Sequence, residues 1–127
     1  MRLNWEETGF NFEFNPSKAF YESAQANGFL FALGAFSGEK IVGYCTALVI
    51  PHQFNPAVRY CATDSLYVSR EHREGTLAGR LILETEKLAK EKGAQFIAWH
   101  TRAGTPLAET MRRRGYTAMD AIAIKEF

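Results

Sequence analysis

Cysteine is scarce in this chain, with two residues among 127, and neither belongs to a pattern typical of metal binding or redox pairing. Cys45 and Cys61 lie in apolar stretches, without Cys-x-x-Cys or Cys/His ligand spacing. We therefore expect two buried free thiols rather than a disulfide. His52 and His72 also lack partners at metal-binding spacing, so we predict no metal site.

Long apolar runs and a charge excess are also lacking. No run approaches the ~18 apolar residues of a membrane helix, and residues 1–7 have no apolar core of signal-peptide length. Fifteen Lys and Arg against 14 Asp and Glu give a net charge of +1, far from the basic field of a typical nucleic-acid binder. We expect a cytoplasmic protein that binds neither membrane nor nucleic acid, and a single domain over residues 1–127.

Two common nucleotide motifs, Gly-x-x-x-x-Gly-Lys-Ser/Thr and Gly-x-Gly-x-x-Gly, are absent. In their place, an apolar strand at residues 65–68 leads through a basic, glycine-containing turn into an amphipathic helix at 76–92. The first amides of a helix lack intrahelical partners and carry partial positive charge, so this turn suits a phosphate group. Alternatively, Gly75 relaxes the turn and Gly79 lets the helix approach a sheet closely.

The remaining periodicities predict a chain of alternating element types. Expected strands are residues 9–14, 29–36, 41–50, 58–68, 95–100 and 118–125; expected helices are 16–27 (with Asn15 as N-cap), 76–92 and 105–114. Residues 37–40 form a tight turn and residues 51–56 a loop. A helix precedes strand 95–100, which should therefore pair parallel to 58–68. The fold class is α/β, with a mixed, mostly antiparallel sheet flanked by helices.

The turn and its flanks resemble a known family. Arg73 and Ala78 match an Arg/Gln-x-x-Gly-x-Gly/Ala loop that follows a Leu-x-Val strand, here Leu66-Tyr67-Val68, and Thr76 replaces the first glycine. Gly115-Tyr116 is similar to a Gly-Phe/Tyr pair that ends a later helix. These motifs and the element order resemble the GNAT superfamily of acyl-CoA N-acyltransferases, small members of which also occur in phages and prophages. The family commonly has two N-terminal helices, where this chain has room for one.

The resemblance implies acetyl-CoA as co-substrate. By analogy, backbone groups of Leu66 and Val68 pair with the pantetheine amides, and the amides of residues 74–79 hold the pyrophosphate. Thr76 keeps that role only if its backbone adopts a conformation open to a β-branched residue. The implied cofactor-binding residues are Leu66, Tyr67, Val68, Arg73, Glu74, Gly75, Thr76, Leu77, Ala78 and Gly79.

Two residues are candidates for catalysis. Asp64 interrupts an apolar strand at a position where the family often carries an acidic residue, and a lone buried carboxylate must be paired or functional. His100 ends the next expected strand and is the second candidate base, although a single histidine often has only a structural role. Met111 stands where the family often has a tyrosine that protonates the departing thiolate, and methionine has no proton to give.

The sequence thus favours an N-acetyltransferase that moves an acetyl group from acetyl-CoA to a small-molecule or peptide amine in a ternary complex, without a covalent enzyme intermediate. One alternative is a catalytically weak acyl-CoA-binding regulatory domain, which Met111 and Thr76 support. A third is a structural role in which residues 121–127 form a dimer edge. A homodimer is compatible with all three.

Overall fold

The protein is described from a computed structural model that covers residues 1–120 and 122–125. In this part of the chain, helices α1 to α4 span Arg2–Glu6, Lys18–Ala26, Leu77–Glu91 and Pro106–Arg113, and strands β1 to β4 span Leu30–Ser37, Lys40–His52, Asn55–Val68 and Phe96–Ala98. The strands lie in the order β1-β2-β3-β4. The first three are antiparallel, and β4 is parallel to β3. This confirms the mixed, mostly antiparallel sheet flanked by helices.

Helix α3 packs on one face of the sheet and forms the core with it. The central cluster joins β1, β2, β3 and α3 through Phe31, Ala47, Val49, Cys61 and Ala89. Cys45 and Cys61 are fully buried and free, as predicted. Helices α1 and α2 belong to the other side, where the hydroxyl of Tyr21 in α2 reaches β3.

The β2–β3 hairpin is longer than predicted. The expected loop at residues 51–56 is wrong, because β2 continues to His52 and β3 begins at Asn55. The short connection is stabilised by Asn55, whose side-chain oxygen accepts a hydrogen bond from the Ala57 amide at 3.1 Å. Such local side-chain acceptors favour tight turns.

The amino-terminal segment differs from the expectation in two ways. Residues 9–14 are not a strand: their three phenylalanines gather around Trp5, with ring centroids 4.4–6.3 Å from its ring, instead of lining one face of a sheet. Helix α1 precedes them, so the chain has two amino-terminal helices and not one. Ser17, not Asn15, caps α2, and its side chain accepts from the Phe20 amide at 3.2 Å.

The carboxyl-terminal segment corrects another prediction. Helix α4 forms as expected, with Thr105 as its N-cap. The strand expected at 118–125 is wrong, because residues 118–120 and 122–125 are not in a strand; residue 121 of that strand, and residues 121, 126 and 127 of the alternative dimer edge, lie outside the described residues. Met119, Ile122 and Ile124 are 88%, 72% and 68% exposed, so they bury no apolar face that would hold a strand in place. In the described ranges, no helix has both the length and the apolar character needed to cross a bilayer.

Candidate functional site

The turn between β3 and α3 ends in an uncapped helix. A single 3₁₀ turn over Arg70–His72 follows β3, and Thr76 is the N-cap of α3 with φ −90° and ψ 0°. Thr76 makes no side-chain hydrogen bond to the first helical amides in the described structure. Its backbone conformation is open to a β-branched residue, so threonine replaces the family's glycine without strain. The first amides of α3 are thus left for a ligand.

The two glycines of this turn are not required by packing. A Cβ on Gly79 would have no neighbour within 4 Å, and one on Gly75 would meet only the His72 carbonyl at 3.8 Å. The expectation that Gly79 brings the helix close to the sheet is therefore wrong. The close approach is at Gly43 on β2, where a Cβ would lie 3.2 Å from Leu81.

Strand β3 has a free edge beside this turn. Strands β3 and β4 pair only from Tyr60 to Ala62 on the β3 side, and β4 ends at Ala98. The Ser69 amide donates to the Val42 carbonyl of β2 at 2.8 Å. Because ladder bonds alternate along an antiparallel strand, the backbone groups of Leu66 and Val68 point away from β2, toward the open edge.

Arg73 covers the end of that edge. Its Nε donates to the Val68 carbonyl at 2.8 Å, and its guanidinium carbon lies 5.6 Å from the centroid of the Tyr67 ring. Its Nη2 donates to both carboxylate oxygens of Glu7, at 2.7 and 2.9 Å. The arginine thus joins β3 to the amino-terminal segment.

Asp64 lies at a β-bulge on β3. Thr46 of β2 pairs with Ser65 and Ala47 pairs with Thr63, so Asp64 is the extra residue between them. The expectation of a buried carboxylate is wrong, because Asp64 is exposed. A bulge displaces its residue from the ladder, and here the side chain lies on the α2 side of the sheet.

Three hydroxyl groups orient this carboxylate. Tyr21 and Thr46 both donate to Asp64 Oδ2, at 3.2 and 2.8 Å. The Ser65 hydroxyl oxygen lies 2.7 Å from the Thr46 hydroxyl oxygen. The Ser65 hydroxyl is the donor of this hydrogen bond, because the single hydroxyl proton of Thr46 is already directed at Asp64. The other oxygen, Oδ1, accepts no hydrogen bond within the described structure and is available to a substrate.

Two tyrosines of this cluster have raised pKa values. Burial, aided by the Asp64 charge and hydrogen bond, raises the pKa of Tyr21 to about 12, so its hydroxyl remains a donor at neutral pH. Burial also raises the pKa of Tyr44, which neighbouring Asn4 and Ser65 lower to a smaller extent. The Tyr44 hydroxyl is buried, and although Asn4 and Ser65 lie beside it, it makes no well-formed hydrogen bond in the described residues. A buried polar group without a partner is costly, and a ligand could supply one.

His100 is not joined to Asp64. It follows β4 by two residues and is exposed, and its backbone amide donates to Thr63 Oγ1 at 3.3 Å. Its imidazole makes no hydrogen bond or ion pair within residues 1–120 and 122–125. The two predicted catalytic residues, one on β3 and one just beyond the end of β4, therefore make no direct contact.

Met111 is buried inside α4, with 5% of its surface exposed. The nearby Gly115-Tyr116 pair serves as an anchor: the Tyr116 hydroxyl donates to Glu86 of α3 at 2.7 Å and accepts from Trp99 at 3.0 Å. Burial and Glu86 raise the pKa of Tyr116 to about 12. These contacts tie the end of α4 to α3 and to the chain after β4.

A cavity of about 320 Å³ lies beside this anchor, and its lining includes Glu86, Lys90, Phe96, Arg114 and Tyr116. A larger cavity of about 480 Å³ opens between α1 and the end of β3, and its lining includes Leu3, Glu6, Glu7, Tyr67, Ser69 and Arg70. Only the larger one adjoins the turn predicted to bind phosphate. No group of three or more His, Cys, Asp or Glu side chains in the described residues is placed to hold a metal ion.

Sequence reasoning missed four residues of this region: Glu7, Tyr21, Thr46 and Arg102, the last of which donates to the backbone carbonyls of Glu7 and Thr8. Each acts through a partner far away along the chain, such as Glu7 with Arg73 at a separation of 66 residues. No local spacing marks such contacts. The buried position of Thr46 in an apolar strand was the one available signal, because a buried hydroxyl needs a partner.

Comparison with known proteins identifies the family. Residues 1–118 match the model of the acetyltransferase (GNAT) family. The chain belongs to this family of acetyltransferases. No curated protein sequence matches the chain significantly.

Solved structures of low sequence identity share the fold. The predicted acetyltransferase with acetyl-CoA from Clostridium acetobutylicum has a TM-score of 0.78 at 17% identity, covering 98% of this chain and 84% of its own. Ribosomal-protein-alanine N-acetyltransferase from Brucella melitensis biovar Abortus 2308 has a TM-score of 0.74 at 18% identity, and the match covers 99% of this chain and 85% of its own. An aminoglycoside acetyltransferase from an uncultured soil metagenomic sample has a TM-score of 0.70 at 19% identity, and the match covers 88% of this chain and 74% of its own.

Proposed function

We propose that the protein is an acetyl-CoA-dependent N-acetyltransferase acting on a primary amine of a small molecule or peptide. The observation that carries the proposal is the edge of β3 at Leu66 and Val68, which β4 leaves unpaired, next to the uncapped amino end of α3. An extended amide chain can pair with such an edge, and a helix amino end binds phosphate. Pantetheine followed by pyrophosphate offers these two groups in that order.

The glycines of the turn support the same placement. Packing does not require Gly75 or Gly79, and both leave open space above the backbone. Glycine permits close approach of a ligand to the main chain, which a side chain would prevent. The residues proposed to hold acetyl-CoA are those of β3 and the turn, namely Leu66, Tyr67, Val68, Arg73, Glu74, Gly75, Thr76, Leu77, Ala78 and Gly79.

Asp64 is the proposed proton acceptor. The neutral amine nitrogen attacks the thioester carbonyl carbon and loses a proton to Asp64 Oδ1, directly or through water. The tetrahedral intermediate then collapses and the C–S bond breaks; the thiolate takes a proton from water, and Asp64 returns its proton to the solvent. Tyr21 and Thr46 hold the other oxygen and so fix the orientation of the carboxylate. His100, exposed two residues after the end of β4, is the second candidate base.

A catalytically weak acyl-CoA-binding domain is the alternative function. It is favoured by Met111, which is buried and has no proton for the thiolate. The two functions share cofactor binding and differ only in turnover.

The decisive experiment measures binding and turnover separately. Calorimetry with acetyl-CoA should show binding, and Arg73→Glu should weaken it about tenfold by placing an anion beside the phosphates. Release of free CoA thiol should then be followed against a panel of amines and peptides. Binding without turnover on any acceptor would favour the regulatory alternative, and no binding would contradict both.

Variants of the two candidate bases identify the proton acceptor. Asp64→Asn should reduce kcat by about a hundredfold or more while leaving acetyl-CoA affinity unchanged, because general base catalysis contributes on that order. His100→Ala is the matched comparison. If both folded variants keep the wild-type rate and pH profile, neither residue takes the proton.

A further inference from the structure

The amino-terminal segment lies across the proposed cofactor path. Two residues after α1, Glu7 and Thr8, are here called the strap. Arg73, which follows β3, binds the Glu7 carboxylate through two hydrogen bonds. Arg102, which follows β4, donates to the backbone carbonyls of both Glu7 and Thr8. The strap therefore reaches from the end of β3 to the chain after β4.

The gap under the strap is the one between the two parallel strands. β3 and β4 pair only up to Ala62 and Ala98, and β3 continues to Val68 with β2 as its neighbour on one edge and without β4 on the other. The edge of β3 that would pair with pantetheine faces this gap. Arg73 also occupies the Val68 carbonyl, one of the backbone acceptors that pantetheine would use.

The strap blocks the proposed cofactor path, and its negative charge also competes with the phosphates of the cofactor for the same arginines. Glu7 lies 2.7 Å from Arg73 and 3.5 Å from Arg70, so its carboxylate takes the place that a phosphate oxygen would occupy beside these arginines. The Glu7 side chain is only 32% exposed, whereas Arg70 is 80% exposed. An anion held by cations in this way is displaced readily by a ligand of higher negative charge.

We infer that Glu7 and Thr8 form a strap that closes the acyl-CoA site in the free protein and must leave Arg73 and Arg102 before the cofactor can bind. This inference rests on the proposed use of acyl-CoA. A site that is open for only a fraction of the time binds its ligand with an affinity reduced by that fraction. Loosening the strap should then tighten cofactor binding.

Calorimetric titration with CoA tests this in four proteins: the wild type, Glu7→Gln, Arg102→Gln and the control Glu6→Gln. Glu6 neighbours the strap and lines the same cavity, and it makes no ion pair in the described residues. We expect Glu7→Gln and Arg102→Gln to bind CoA about three- to tenfold more tightly, as the loss of exposed ion pairs and hydrogen bonds allows. Glu6→Gln should stay within about twofold of the wild type.

The sign for Arg102→Gln separates the strap from simple electrostatics. Removing a cation near an anionic ligand would by itself weaken binding. Weaker CoA binding by Arg102→Gln would overturn the inference, and so would equal affinities of Glu7→Gln and Glu6→Gln. If neither the wild type nor Glu7→Gln binds CoA, the proposed function fails as well.

A fluorescence measurement gives a second, independent readout. Trp5 lies two residues before the strap and is one of only two tryptophans in the chain. In a Trp99→Phe background, CoA should change the Trp5 emission, and adding Glu7→Gln should produce part of that change before CoA is added. CoA binding without any change in Trp5 emission would contradict movement of the strap.

Discussion

The carboxylate of Asp64 is held in one orientation by groups from two other elements. Tyr21 comes from α2 and Thr46 from β2, and both donate to the same oxygen. Hydrogen bonds to an ionised group contribute more than bonds between neutral groups. The side chain that is proposed to accept the proton is therefore fixed by hydroxyls and not by a cation, which leaves its negative charge available to an incoming ammonium.

The Tyr21 hydroxyl should matter for turnover. Its pKa of about 12 keeps it protonated in any ordinary assay, so it acts as a donor to Asp64 and not as a base. Tyr21→Phe should lower kcat about three- to tenfold and leave acetyl-CoA affinity unchanged. Tyr60→Phe removes the same group at the far end of β3 and is the control. Equal kcat values for the two variants would contradict a positioning role for Tyr21.

Burial of Cys61 should make stability depend on alkaline pH. Burial raises the pKa of the Cys61 thiol from 9.0 to about 11, so the unfolded chain loses this proton first as the pH rises. The free energy of unfolding should then fall between about pH 9 and pH 11, by about 2–3 kcal/mol. Urea unfolding at several pH values measures this, and Cys61→Ala should flatten the dependence. An unchanged slope in that variant would exclude the thiol as its source.

At the level of elements, helix α3 packs on the sheet along one side and offers its amino end to the proposed ligand. Its buried side packs on β2 at Gly43, where an added Cβ would lie 3.1 Å from the Tyr67 carbonyl and 3.2 Å from Leu81. Its amino end is the proposed phosphate site. A change at Gly43 would move the helix, whereas a change at Gly79 would affect only the space above it.

The two glycines should therefore separate stability from cofactor binding. Gly43→Ala should reduce the free energy of unfolding by about 1–3 kcal/mol because the site is already full. Gly79→Ala should increase it by up to ~1 kcal/mol, since alanine favours the helix, while weakening acetyl-CoA binding by narrowing the approach to the backbone. Thermal melting and calorimetry on both variants measure these effects. Unchanged acetyl-CoA affinity in Gly79→Ala would argue against a phosphate above α3.

The elements that the sequence predicts well are those whose local pattern agrees with their packing. The hairpin turn at residues 37–40, the parallel β4 and the Thr105 cap of α4 all follow from local signals and chain connectivity. Residues 9–14 alternate like a strand, but their aromatic rings pack around Trp5 instead. An alternating sequence pattern indicates that the apolar side chains pack together, and both a β-strand and a cluster of aromatic rings fulfil that condition.

The candidate site was predictable in part for the same reason. The turn from Arg73 to Gly79 is one continuous segment, so its spacing identifies it. The hydroxyls around Asp64 come from residues 43 and 18 positions away, and no periodicity links them. Prediction of those contacts requires the register of β2 on β3, including the bulge that places Asp64 outside the ladder.

For the whole molecule, apolar side chains are exposed at one end of the chain. Met119, Ile122 and Ile124 are each more than two-thirds exposed. In the described residues, β4 is an edge strand with no neighbour on its outer side. Exposed apolar groups and an open sheet edge each favour association with a second copy.

We therefore expect a homodimer at micromolar concentration, as the composition of the tail suggests. Light scattering coupled to size exclusion measures the mass directly. Replacing Ile122 and Ile124 by asparagine should shift the protein to a monomer, while Phe54→Ser, at the exposed tip of the β2–β3 hairpin, should not. A wild-type protein that runs as a monomer would contradict this expectation.

The bulge at Asp64 changes which residues of β3 face α3: odd-numbered residues face it before the bulge and even-numbered residues face it afterwards. Cys61 and Thr63 pair with Val49 and Ala47 on the α3 side, whereas beyond the bulge Leu66 and Val68 pair with Cys45 and Gly43 on that side. Deletion of Asp64 would place Thr63 and Ser65 on consecutive rungs, so every pair on both sides of the bulge would be kept, whereas a deletion beyond the bulge would shift the register and exchange the faces of the residues that follow. The strand can therefore lose one residue at this position and keep its register, and what such a loss would remove is the carboxylate of Asp64.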